Sequence, residues 1–174
     1  MQPQQVSVTP FVEGQIDVIT ATKYNEFYSL MTRMGREKLR TFVAEDQGIT
    51  FPRDTLIVSE TTARQKPEMV KGFLRASIKG WRDALRDQKA GVDAVMSASP
   101  ALDRAHQEFM LVEAGKLMTA GAAAQQGLFW IDETAIRSAH DFLRQYEVIK
   151  QPIDLAKVYD GSFLASIPAA DRMA

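Results

Sequence analysis

The spacing of apolar positions changes once along the chain, near residue 59. Before it, short β-branched runs predominate. Gln5 to Thr9 (QVSVT) alternates with the two-residue period of a strand. Ile16 to Thr20 (IDVIT), Leu39 to Ala44 (LRTFVA) and Thr55 to Ser59 (TLIVS) read as three more strands. Pro10 to Gly14 fits a helical turn and Gly48 to Asp54 a loop. Tyr24 to Met34 fits a helix, because Phe27, Leu30, Met31 and Met34 share one stripe and Gly35 follows as a stop. This first part is therefore expected to be α/β.

Residues 60 to 174 carry helical spacing almost throughout. Lys66-Pro67-Glu68 opens a long helix: proline in the first turn loses no bond, and glutamate suits the positive end of the dipole. Val70, Phe73, Leu74, Ser77, Ile78, Trp81 and Leu85 keep the 3.6-residue period to about Arg86. Asp87 to Ala98 predicts a second helix. Leu102, Ala105, Phe109, Val112 and Leu117 mark a third, and a fourth starts at Asp132 and runs through Ile136, Ala139, Phe142, Leu143 and Tyr146. Gly121 to Gly127 reads as a flexible loop, Asp154 to Lys157 as a short helix and Ser162 to Ile167 as a last helical turn. Residues 1–59 are thus expected to form a partial α/β lobe with ligand-side strand ends. Residues 60–174 would pack on it as a helical portion, the two making one compact unit.

Composition narrows the classes. At 174 residues, with 45% hydrophobic and 25% charged residues, the chain can bury a core and is not of disordered composition. A net charge of −1 supplies no general attraction to nucleic acid or anionic membrane. The basic stripe Lys71, Arg75, Lys79, Arg82 and Arg86 has acidic residues interspersed and reads as a solvated helix face. Zero cysteines exclude disulfides and thiolate metal sites. The opening MQPQQVSVTP has neither a basic nor an apolar signal region, so no signal peptide is expected in this chain.

Catalytic motifs are absent: no Gly-x-Ser-x-Gly elbow, no phosphate-binding glycine loop, no His-Glu-x-x-His. His106 and His140 fall on different predicted helices without metal-ligand spacing, so neither a metal nor another cofactor is expected. Phe11, Phe51, Phe73, Trp81, Phe109, Phe129, Trp130 and Phe142 read as core.

The chemistry that stands out is the polar run beyond the second expected strand. Thr20, Thr22, Tyr24, Asn25 and Glu26 bring hydroxyls, a phenol, an amide and a carboxylate to a strand's carboxyl end, where α/β sheets place ligands. Each has a local reading too. Glu26 also suits a helix N-terminus, Asn25 an N-cap, Tyr24 an amphipathic cover, and the threonines bonds to their own backbone.

Several stretches, in order, resemble one family. FVEGQIDVITATKYNE is similar to its "helix, Gly-Gln-x-Asp, strand, Asn-Glu" segment, and RTFVAEDQGI and FPRDTLIVSE to the strands that follow. KPEMVKGFLRASIKGWRDAL resembles its "Pro-Glu, then Val, then Phe-x-x-Ala" helix, and LFWIDETAIRSAHDFLRQYEVIKQPIDLAKVYDGSFL its carboxyl-terminal end. The family is that of ABC-transporter substrate-binding proteins of the type II periplasmic-binding fold, in the branch named after thiamine-pyrimidine synthesis and uptake. The resemblance implies a non-enzymatic solute receptor in the periplasm or another extracytoplasmic space, with the transporter's membrane subunits as partners. It also implies that this chain corresponds to a carboxyl-terminal portion, without the family's first lobe. The ligand class would be a small metabolite such as a pyrimidine or thiamine precursor, held by Thr20, Thr22, Tyr24, Asn25 and Glu26. The alternatives are a structural module that oligomerises, as a homodimer, and binds no solute, and a pyrimidine-synthesising enzyme. The enzyme's cysteine-rich motif is missing here.

Overall fold

The computed structural model describes residues 7–52 and 54–174. The secondary structure of these residues is helical: α1 (Thr9–Val12), α2 (Glu26–Met34), α3 (Glu60–Gln65), α4 (Pro67–Arg86), α5 (Gln88–Ala98), α6 (Arg104–Met118), α7 (Ala123–Gln126), α8 (Glu133–Gln145), α9 (Ser162–Ala165) and α10 (Ala169–Arg172). Single 3-10 turns lie at Arg36–Lys38, Glu45–Gln47 and Leu155–Lys157.

The helices follow the local signals. Asp132 caps α8 by accepting from Thr134 N–H at 2.9 Å and Ala135 N–H at 3.1 Å. Asp87 caps α5 through Ala90 N–H at 3.0 Å. Gly35 ends α2 at φ +88°, a conformation that side chains rarely tolerate. The segment 121–127, read as a loop, contains the short α7, and α3 and α10 carry too few periodic positions to show as helices in the sequence.

The expected α/β lobe does not form. No strand is present among the described residues, and this corrects the reading of 5–9, 16–20, 39–44 and 55–59. Residues 5 and 6 lie outside the described residues, and Thr9 already begins α1. The other three segments are neither turned into helix nor paired. Residues 16–19, 40–43 and 55–58 make no backbone–backbone hydrogen bond among the described residues. A strand exists only against a neighbour, and these have none among the described residues. Ile19 packs on the first unit's core, but other apolar side chains of these segments face water: Val18 is 81% exposed, Phe42 95% and Ile57 88%.

Two compact units result. The first combines the chain up to Thr41 with Asp83–Met118. In it Val8, Leu30 and Leu39 form a buried cluster covered by Phe11, Ile19, Phe27, Met31 and Met34. Arg33 donates to the Thr9 hydroxyl at 3.1 Å, joining α2 to α1. Helices α5 and α6 pack together. Glycines bring each of them close to the end of α4: a Cβ on Gly91 of α5 would stand 2.8 Å from Ala84 Cβ, and one on Gly115 of α6 would stand 2.6 Å from Leu85 Cδ2. The Asp93 carboxylate receives Lys89 Nζ at 2.8 Å and Arg104 Nη2 at 2.7 Å, tying α5 to the start of α6.

The second unit contains Phe42–Arg82 and Thr119–Ala174. Its core is Leu74, Ile78, Leu164 and Ile167, with Phe129 and Phe163 against them. The periodic stripe of α4 is buried at Val70, Leu74 and Ile78, whereas Phe73 is 59% exposed. Phe73, Phe51 and Trp130 were all expected in the core, and all three are exposed.

The contrast between buried and unpaired residues is directly measurable. Ile78→Ala should cost about 2–5 kcal/mol in chemical denaturation, and Ile57→Ser should stay within about 0.5 kcal/mol. A loss at Ile57 comparable to that at Ile78 would mean that 55–58 is packed or paired. The hydrogen bond from Lys89, and then that from Arg104, hold the Asp93 pKa below the ordinary aspartate range. A depressed carboxylate contributes stability above its unfolded pKa and loses it as pH falls through the folded one. Helix α5 should therefore loosen from α6 as pH drops through and below the aspartate range. The effect is small, because the pair is exposed. Asp93→Asn should flatten that limb of the stability–pH curve.

Candidate functional site

The polar run at the start of α2 is a local assembly built on Thr22. The Thr22 carbonyl accepts Asn25 N–H at 3.3 Å and Phe27 N–H at 3.2 Å, so the chain turns tightly before the helix begins. Thr22 N–H donates to Glu26 Oε2 at 3.0 Å, and the Thr22 hydroxyl donates to the same oxygen. Glu26 is the first residue of α2, where the helix dipole favours its charge. Asn25 occupies the N-cap position, yet its side chain makes no capping bond. Glu26, reaching back to Thr22, organises this end of the helix instead. Thr22, Tyr24, Asn25 and Glu26 are half-buried and Thr20 is exposed. The turn thus joins Thr22, Asn25 and Glu26, and no strand end among the described residues carries it.

On the far side of α2, Tyr28 stacks on His106 with centroids 4.6 Å apart and planes 11° off parallel, and it meets Phe109 at 5.0 Å. His106 Nε2 is buried without a hydrogen-bond partner among the described residues. The two rings are far apart in the sequence, so only the fold reveals the stack.

A concave feature lies in the other unit and was not anticipated. Gly48, Thr50, Phe51, Ser138, Asp141 and Phe142 line an open hollow of about 200 Å³. Phe51 meets Phe142 edge-on at 5.4 Å, and Phe142 meets Tyr146 at 4.6 Å. His140 orders the rim. Ile153 N–H donates to its Nε2 at 3.2 Å, so in the neutral ring Nδ1 carries the proton and donates to Asp141 at 2.9 Å. The i, i+4 aromatic pair Phe142/Tyr146 beside a His-Asp dipeptide was the available sequence signal. Among the described residues no group of His, Asp and Glu is arranged to hold a metal ion. No helix is long and apolar enough to cross a membrane.

Comparison with known proteins gives two findings. A family model described as "NMT1/THI5 like" matches residues 1–90. The riboflavin-binding protein RibY of Chloroflexus aurantiacus is 27% identical over 112 residues, covering 63% of this chain and 32% of the relative. The chain therefore spans about a third of the length of that curated relative. No solved structure matches.

The Thr22–Glu26 arrangement makes its own prediction. Glu26→Gln keeps the side-chain shape but removes the charge, and should cost about 0.5–1 kcal/mol at the denaturation midpoint. An unchanged midpoint would show that the carboxylate does not hold the turn.

Proposed function

The chain belongs to the NMT1/THI5-like family of ABC-type substrate-binding proteins, and from that premise we propose that it is part of the solute-capturing component of an ABC importer. Its role is non-enzymatic and extracytoplasmic, and its partners are the importer's membrane subunits. The observation that carries the reading is the coincidence of the family match with the polar turn at α2. Residues 1–90 include all five candidate side chains, and the Thr22–Glu26 hydrogen bonds at the start of α2 support the reading.

The ligand class follows from the chemistry of that turn. Hydroxyls, a phenol and a carboxylate suit a small, flat, nitrogen-containing ring. Tyr24 would cover its face, Asn25 and Glu26 would meet its N–H groups, and Thr20 and Thr22 would reach its oxygens. A pyrimidine fits this description. So does the ligand in the name of RibY, whose isoalloxazine ring contains a pyrimidine edge. One wall does not bury a ligand, and a clamshell site needs a second. The bare segments 16–19, 40–43 and 55–58 support a protein in which further chain supplies the pairing strands.

A second reading rests on those same segments. Exposed apolar residues in extended, unpaired backbone favour association with another copy, so this chain by itself forms a homo-oligomer.

Calorimetry separates the two. A longer form of the protein, spanning the relative's length, should bind a hydroxymethylpyrimidine or riboflavin, and Glu26→Ala should weaken binding at least tenfold. Undiminished affinity in Glu26→Ala would remove the α2 turn from the site. For the association reading, sedimentation of this chain at micromolar concentration should show a dimer or larger species, and a stable monomer would contradict it.

A further inference from the structure

Arg172 is 6% exposed, although it ends a four-residue helix close to the chain terminus. The backbone around it is tight. Its carbonyl accepts Leu128 N–H at 2.8 Å, and a Cβ on Gly127, whose φ is +86°, would stand 2.6 Å from Arg172 Cβ. Its guanidinium lies 5.6 Å from the ring centroid of Trp130, a residue that is itself 41% exposed. Nε and Nη1 of Arg172 are buried and have no hydrogen-bond partner among the described residues.

Arg82, from α4, reaches the same short segment. Its Nη1 donates to the Asp171 carbonyl at 2.6 Å, and its Nε is also buried without a partner. Asp171 thus offers Arg82 a main-chain oxygen, and no ion pair reaches either guanidinium among the described residues.

A buried cation persists at low cost only when an opposite charge and hydrogen-bond acceptors meet it. Here three buried donors on two arginines lack acceptors, and the Trp130 face offsets only part of the lost hydration. The acceptor that satisfies a guanidinium edge is a planar or tetrahedral oxyanion, which takes two N–H groups at once. We propose that Arg172, with Arg82 against the same segment, forms a binding site for an oxyanion: a carboxylate or phosphate group of a small solute. Trp130 forms a flat wall on which the rest of that solute lies. The site is independent of the α2 turn, and neither needs the other to be right.

The chain has two tryptophans, so Trp81→Phe leaves Trp130 as the sole indole reporter. In that background, inorganic phosphate and acetate are titrated against sodium chloride at matched ionic strength, and Trp130 emission is followed. The expected result is a saturable change with at least one oxyanion, weakened tenfold or more by Arg172→Gln and to a lesser degree by Arg82→Gln. Saturation with phosphate alone identifies a phosphate-bearing ligand, and saturation with acetate alone a carboxylate. A response to both oxyanions no larger than to chloride overturns the proposal, as does an Arg172→Gln variant that titrates like its parent. Should Arg172→Gln fail to fold, Arg172→Lys replaces it under the same criterion, since lysine keeps the charge but lacks the two-pronged edge.

Discussion

Backbone pairing is the constraint from which the rest of this structure follows. An extended segment becomes a strand only when its N–H and C=O groups meet those of a neighbour. Here 16–19, 40–43 and 55–58 have strand-like composition and no backbone partner among the described residues. Val18, Phe42 and Ile57 are left in water. The buried cores lie elsewhere: Leu74 and Ile78 of α4 with Leu164 and Ile167 in one unit, and Leu30 of α2 with Val8 and Leu39 in the other.

The same constraint shapes the candidate site. In a complete sheet, a polar run after a strand is positioned by that strand. Here the turn at 20–26 is positioned by its own bonds, with Thr22 and Glu26 holding each other and the first turn of α2. The dipole and the local reach of a carboxylate suffice to assemble the polar groups on a helix end. They do not by themselves enclose a ligand. Family membership, and a relative of which the match covers 32%, are what support reading this turn as part of a binding protein.

Helices were legible because their signals are local. Pro67 and Glu68 at the start of α4, Asp132 before α8 and Gly35 after α2 each act within one turn, and the structure uses all four as read. The strands were misread for the converse reason. TLIVS describes what a segment prefers when paired, and pairing is decided by chain far away in sequence. Period was a weak guide as well: in 16–20 Ile19 packs inward and Val18 outward, without an assembled face. Within the polar run, Asn25 holds the N-cap position it was read for, but Glu26 does the bonding. The Tyr28–His106 stack, the hollow at Phe51 and Phe142, and the buried Arg172 join residues from distant parts of the chain, so no local pattern announces them.

Amide hydrogen exchange tests the central claim most directly, because it reads backbone pairing residue by residue. In dilute solution the amides of Leu56, Ile57 and Val58, and those of Thr41 to Val43, should exchange near the rate of an unstructured chain. Those of Leu74 and Ile78 in α4 should be strongly protected. Protection of 55–58 that matches α4 and persists on dilution would contradict the account, because it would mean that these segments are already paired within this chain.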